Sequence, residues 1–330
     1  ANAASKTTFE GGKTVEDGTW KGWTWNVFGS STDVTKAFAT DTGNGGVTLE
    51  VTGDKGKING SASDQGLNTF LYELDKSYDF TITAQAKVDT LAANAQAAFG
   101  LTIRDNVGAH GNTAKLTADK NNFAFVGGYG NQAASGHGNA GYKTTALAHT
   151  RLGESPEVGG TYDLAIQKVG DSVKLYFNGE VAAECSADDL ITDNAMYVGL
   201  FAARNAKVTF NNVKLAYTQD SSSVKVTNVT APKKTTYCAG NTYEDVDLTG
   251  FKATVSVDGK EREITASDCV VDMSNDPFAE VTDAGKLTLL YLGQTIEVPI
   301  TVIKEVVSDM YIEYMPVKTD YMVTDKTLDF

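Results

Sequence analysis

The chain is short of the residues that announce a chemistry. Of its 330 residues only three are cysteine, three histidine and five proline. Three cysteines cannot all pair with one another, and no CxxC or Cys/His spacing of the zinc kind occurs. A nucleophile elbow, Gly-x-Ser-x-Gly, is missing as well. No apolar run approaches the ~20 residues of a membrane-spanning helix. The first residues carry no basic-then-apolar leader, so location has to be argued from the kind of module present. Positive charge is also scarce. Twenty-eight Lys and Arg against 42 Asp and Glu leave a net charge of −14, with 24 acids and 18 bases up to Ser223 and 18 acids and 10 bases after it. Such a field repels phosphate backbones and anionic lipid, which excludes nucleic acid and the membrane surface as partners. A neutral ligand is easier to accommodate, whereas a polyanion needs a local Arg/Lys patch or a bridging divalent cation.

What is abundant points to strands. Thirty-two glycines and short runs of Val, Thr, Tyr and Phe favour extended chain and turns over helices, so the chain reads as all-β. Residues 78–88 alternate without a fault, Tyr78, Phe80, Ile82, Ala84, Ala86 and Val88 inward and the polar set outward, which predicts a strand with one wet face. Phe70/Tyr72/Leu74, Phe99/Leu101/Ile103, Tyr162/Leu164/Ile166 and Val173/Leu175/Phe177 repeat the pattern. Gly170-Asp171 and Asn178-Gly179 supply turns between runs, the second a tight hairpin turn because Asn and Gly tolerate positive φ. Several such strands with no helical period between them imply a β-sandwich or jelly roll. Two irregular stretches, 105–122 and the glycine-rich 127–160, are where a ligand site is expected.

A short segment recurs. Ala-Pro-Lys-Lys-Thr-Thr-Tyr at 231–237 returns as Met-Pro-Val-Lys-Thr-Asp-Tyr at 315–321, so that Pro232/Pro316, Lys234/Lys318, Thr235/Thr319 and Tyr237/Tyr321 share a period of 84. That period predicts a repeating module whose second copy continues past Phe330. The expected organisation is a first domain over 1–218, a polar linker over 219–223, a second domain over 224–304, and the start of its repeat over 305–330.

Two resemblances follow from particular segments. Asp247-Leu-Thr-Gly-Phe-Lys-Ala-Thr-Val-Ser-Val-Asp-Gly-Lys with the closing Leu287-Thr-Leu-Leu-Tyr-Leu-Gly-Gln-Thr-Ile-Glu-Val-Pro-Ile-Thr-Val resembles a bacterial Ig-like domain of surface and secreted proteins. Cys238 and Cys269 depart from that pattern and suggest a disulfide-reinforced variant. Asn68-Thr-Phe-Leu-Tyr-Glu-Leu, Phe99-Gly-Leu-Thr-Ile-Arg-Asp and Met196-Tyr-Val-Gly-Leu-Phe-Ala-Ala-Arg-Asn-Ala-Lys-Val-Thr-Phe-Asn-Asn-Val resemble a concanavalin-like jelly roll, an accessory module of large secreted pectate lyases and related β-helix proteins. The resemblances together imply a jelly-roll sandwich followed by Ig-like repeats. They imply an extracellular protein, secreted or surface-attached, whose non-catalytic module binds polysaccharide, pectin favoured, while further modules of the same parent chain carry catalysis. Structural Ca2+ is implied by the same analogy, and Asp41-Thr-Gly-Asn-Gly-Gly lacks the spacing that would locate it.

The candidate carbohydrate-binding residues are Trp23, Arg104, Asp105, Asn106, Tyr129, His137, Tyr142, Arg204 and Asn205. Trp20, Trp23 and Trp25 are the only tryptophans, and a Trp cluster stacks on sugar faces or packs a sandwich rim. Arg104 falls on the face opposite Phe99, Leu101 and Ile103, above small Gly100 and Thr102. From there a guanidinium reaches hydroxyl or carboxylate oxygens, or ties a loop through Asp105. Arg204-Asn205 ends another strand and is expected nearby. Tyr129 and Tyr142 flank His137 in the glycine-rich stretch, while lone loop histidines such as His110 and His149 are ordinarily solvated. Two other classes of function compete with glycan binding. A structural or adhesive surface module would bind no glycan, and a sandwich lyase would use Tyr with Lys, Arg or His.

Overall fold

The computed structural model describes residues 7–58, 65–94, 96–114, 116, 121–130, 132–139, 148–152 and 155–305. Among them the chain is all-β, a jelly-roll sandwich followed by a second, smaller sandwich. One sheet of the jelly roll runs, edge to edge, Thr7–Thr8, Ala37–Asp41, Val47–Val51, Ala206–Thr218, Asp79–Leu91, Thr161–Val169, Ser172–Phe177 and Glu180–Ser186. The other runs Ala148–Arg151, Gln132–Asn139, Asn122–Tyr129, Ala98–Arg104, Ala195–Ala203, Gly66–Asp75 and Trp23–Gly29. The inward members of each alternating run meet between the sheets: Phe80, Ile82 and Val88 from one side, Phe70, Phe99, Leu101 and Ile103 from the other, all fully buried. Asn178 and Gly179, at φ +48° and +81°, make the expected tight turn into Glu180–Ser186.

Two expectations are corrected by the structure. The strand Asp79–Leu91 keeps the wet outer face only from Gln85 onward, since Gln85 and Lys87 are exposed but Thr81 and Thr83 are 1% and 7% exposed. The second sandwich covers them: Leu292 N donates to Thr81 Oγ1 (3.1 Å) and Thr83 Oγ1 donates to Ser267 O (2.7 Å). Residues 219–223, the expected linker, include an ordered turn. Asp220 caps a single 3-10 turn at Ser221–Ser223, and Ser221 O accepts from Gln294 Nε2 at 2.9 Å. The glycine-rich stretch holds strands Gln132–Asn139 and Ala148–Arg151, which extend the seven-stranded sheet; small residues hide the alternation there.

The second sandwich pairs a sheet ordered Lys225–Thr230, Lys252–Val257, Lys260–Thr265 with one ordered Thr236–Cys238, Gln294–Ile303, Thr282–Tyr291, Val270–Asp272. Val255, Phe278, Leu287, Leu289 and Val298 fill its core. The expected Cys238–Cys269 disulfide does not form, and all three thiols are free. Cys238 lies on one edge strand and Cys269 precedes the opposite edge strand. Three strand spacings of ~4.8 Å put them about 14 Å apart, twice the reach of a disulfide. The repeat copy at 315–321 lies outside the described residues.

Where the sandwiches meet, Tyr176 is 2% exposed among Ala165, Val270 and Leu290. Burial, with Asp272 and Glu184 adding to it, pushes its phenol up to about 12. An unfolded phenol ionises near 10, so between pH ~10 and ~12 the native state keeps a proton the unfolded state has lost. Stability therefore falls as pH rises through that window, by about 2–3 kcal/mol for this group. Urea midpoints measured across the window are expected to drop less in Tyr176→Phe than in wild type. Equal drops would refute the assignment.

Candidate functional site

The outer face of the seven-stranded sheet divides into a dry part and an open part. In the dry part, Arg104 is fully buried between the rings of Phe28 and Phe123, with its guanidinium carbon 5.6 and 5.2 Å from their centroids. Its Nη2 donates to Gln65 Oε1 (2.9 Å) and Asn121 Oδ1 (3.1 Å), and its Nε to Asn106 O (3.1 Å). Burial lowers this guanidinium to about 10, against the pull of Asp105, so it remains charged at neutral pH. Asp105 is 2% exposed, and its carboxylate accepts from Asn122 N (3.0 Å) and Asn122 Nδ2 (2.8 Å). Arg104 thus ties the loop at Asn106 to the segments of Gln65 and Asn121, and Asp105 ties it to Asn122. Phe28, Leu67, Phe123, Phe125 and Phe201 form a second apolar cluster around it. Among the described residues no open floor lies beside Arg104, because that cluster and the 105–112 loop close over it.

The open part lies over Trp23–Gly29, Gly66–Asp75 and the start of Ala195–Ala203. Inward Trp25, Tyr72 and Val198 alternate with outward Thr24, Asn26, Glu73 and Tyr197. The loop after Asp105 crosses back here, tied down by Gly111 N donating to Val27 O and Gly29 N to Asn112 O. Loop and sheet together enclose a cleft of about 590 Å³ lined by Thr24, Asn26, Glu73, Gly108, His110 and Tyr197. His110 Nδ1 accepts from Val27 N at 3.1 Å, and its ring lies against Trp25, centroids 4.8 Å apart. The Nδ1 acceptor places the proton of the neutral ring on Nε2, and burial lowers the imidazole's affinity for a second one. A Cβ on Gly11 would fall 2.1 Å from His110 Nε2, so a glycine is needed where the N-terminal segment passes the ring. Tyr197 is half-buried. Burial, then Glu73, Asp193 and Asp105, raises its phenol, which stays a donor at neutral pH.

Only part of the expected set lies near this cleft. Arg104, Asp105 and Asn106 brace the base of its loop. Trp23 faces the other way, 5% exposed and stacked on Phe70 at 5.2 Å, so it is a core residue. Arg204 and Asn205 are not near Arg104: they follow Ala203, which pairs with Ala98 at the far end of the strand from Arg104. Their φ angles of +51° and +41° make the turn between the two sheets, and Arg204 Nε donates to Gly56 O at 3.1 Å. Tyr129 also sits at that far end, half-buried against Phe125. His137 pairs through its backbone with Ala124 and Ala148, and Tyr142 lies outside the described residues. Sequence reasoning missed Tyr197 and Glu73, whose one signal was an outward place in an alternating strand. Asp41 spends Oδ1 on Gly43 N (2.8 Å), and among the described residues no three His, Cys, Asp or Glu converge on a metal position.

No protein-family model matches the chain. Over 310 residues, 92% of its length, it is 29% identical to pectate lyase L of Thermoclostridium stercorarium, and it spans 23% of that protein. Among solved structures it is similar to the carbohydrate binding module CBM66 from Bacillus subtilis, with TM-score 0.34, 17% identity, and coverage of 59% of this chain and 94% of that one. Lectin II from Ulex europaeus gives TM-score 0.38 at 9% identity, covering 66% and 99%. The catalytic domain of an endo-1,3-beta-glucanase from Thermotoga petrophila RKU-1 gives 0.36 at 12%, covering 66% and 95%.

Proposed function

We propose that the jelly roll is a non-catalytic carbohydrate-binding module of an extracellular bacterial polysaccharide-degrading protein, carried on an Ig-like second domain. The observation that carries the reading is the cleft over the seven-stranded sheet. One aromatic ring, Tyr197, lies beside the carboxylate of Glu73, the amide of Asn26, the hydroxyl of Thr24 and the imidazole of His110. A sugar presents an apolar C–H face to a ring and hydroxyls around its rim, and this lining offers one partner for the first and both donors and acceptors for the second. An open cleft beside a loop suits a polymer, which must enter from the side. Holding the chain on polysaccharide would raise the effective concentration of a catalytic module elsewhere in the same protein. The name of the 29% identical relative makes pectic polysaccharide the first ligand to try.

The test is retardation of the intact chain in gels containing pectin, galactan, xylan, β-glucan or starch, each with calcium and with chelator. Retention on one polymer class is expected, and Tyr197→Ala is expected to weaken it roughly tenfold, the scale of one aromatic contact with its buried area. The chelator lane reads whether calcium bridges an acidic polymer. Free migration in every gel would sink the proposal in favour of a structural or adhesive module.

A further inference from the structure

The cleft over the seven-stranded sheet carries charge of one sign. Among the described residues that line it, Glu73 is the one ionised side chain at neutral pH: no Lys or Arg is present, and burial keeps His110 neutral. Arg104 stands opposite Tyr197 in the register, yet it is fully buried, has Asp105 beside it, and gives its bonds to Gln65, Asn121 and Asn106. It therefore does not open on the cleft. Glu73, Asp193 and Asp105 all push the Tyr197 phenol in the same direction, so the field over this stretch of the sheet is negative.

Glu73 is also available to a ligand. Its side chain is exposed, and among the described residues it enters no ion pair, unlike Glu10, Glu263 and Glu297. Tyr197 is its cross-strand partner, so ring and carboxylate stand side by side on one face. Thr24 is less available, because its hydroxyl is shared with Thr14 at 2.7 Å. An ionised carboxylate accepts hydrogen bonds and donates none. Facing the hydroxyls of a sugar stacked on the neighbouring ring, it makes charge-assisted bonds. Facing the carboxylate of a uronate, it has no proton to share and repels, and the neutral groups around it supply no counter-charge.

We propose that Glu73 makes the cleft selective for a neutral glycan and turns uronate residues away. A pectic ligand is then held by its neutral galactan or arabinan segments and not by its polygalacturonate backbone. Calcium does not reverse this, because the ion needs about six to eight oxygen ligands and the cleft lining offers a single carboxylate. The inference rests on the reading of the cleft as the glycan site and adds the class of sugar it takes.

Affinity gels test it on the intact chain, with galactan, arabinan, xylan or starch as neutral polymers and polygalacturonate or alginate as acidic ones, each with calcium and with chelator. Retention by a neutral polymer and free migration through both acidic ones are expected in either buffer. Glu73→Gln keeps the size and removes the charge at an exposed position, and it is expected to weaken neutral retention about tenfold. Stronger retention by an acidic polymer that Tyr197→Ala abolishes would keep the cleft as the site and overturn its selectivity. Neutral retention untouched by Glu73→Gln would overturn the part assigned to the carboxylate. Retention indifferent to Tyr197→Ala, or none in any gel, would instead remove the cleft as the glycan site and this inference with it.

Discussion

Replacing Trp23 by alanine is expected to destabilise the protein by about 3–5 kcal/mol. The ring is 5% exposed, stacks on Phe70 at 5.2 Å and 19°, and meets Trp20 and Tyr72 edge-on at 5.6 and 5.9 Å. Even the backbone opposite is shaped to it: a Cβ on Gly199 would fall 2.8 Å from Trp23 Cζ3. Deleting the indole removes transfer energy and leaves a cavity among rings that cannot collapse without losing their own edge contacts. Trp23→Phe keeps the stack on Phe70 and should cost clearly less. Urea unfolding followed by far-UV circular dichroism measures both. A Trp23→Ala loss under about 1 kcal/mol, the range of surface substitutions, would show that the aromatic cluster does not hold the sandwich together.

Trp23 also shows which layer of the fold could be read in advance. Period-two alternation reports which residues point between the sheets, and Phe80, Ile82, Phe99, Leu101 and Ile103 are all there. Alternation says nothing about what lies on the other side of a sheet. Thr81 and Thr83 occupy the predicted outer face, yet both are dry because a segment some 200 residues away docks on that end of the strand. Arg104 stands on the predicted face of its strand too, but Phe28 and Phe123 enclose it. Arg104 and Arg204 both end strands, and only the antiparallel register, Tyr197 opposite Arg104 and Ala203 opposite Ala98, separates them. The cleft residues Tyr197 and Glu73 were hidden for the same reason. Outward positions on strands are usually solvated, and a returning loop, invisible to any local pattern, is what turns these two into a wall.

Arg104→Ala is expected to cost about 3–5 kcal/mol, a loss of the size seen when one partner of a buried charged network is removed. The side chain is a tie between three segments that share no sequence neighbourhood. Gln65 precedes Gly66–Asp75, Asn121 precedes Asn122–Tyr129, and Asn106 begins the loop that roofs the cleft. Its deletion leaves the oxygens of Gln65, Asn121 and Asn106 without this donor, inside an apolar cluster where each unmet acceptor costs about 1–3 kcal/mol. The network is already incomplete, with Arg104 Nη1 and Gln65 Nε2 buried and unpartnered, so the guanidinium is not there at no cost. Arg104→Met, which fills most of the volume without the charge, separates the two contributions. A loss of about 1–3 kcal/mol is expected for Met if the stranded acceptors dominate, and a neutral or stabilising outcome if desolvation of the charge had outweighed its bonds. Both variants should also weaken polymer retention, since Asn106 leads directly into Gly108 and His110 at the cleft. A variant of Arg104 that keeps full stability while losing retention would instead make the guanidinium a direct ligand contact. That outcome requires the roof to open, and amide hydrogen exchange over residues 105–112 with and without polymer would detect it.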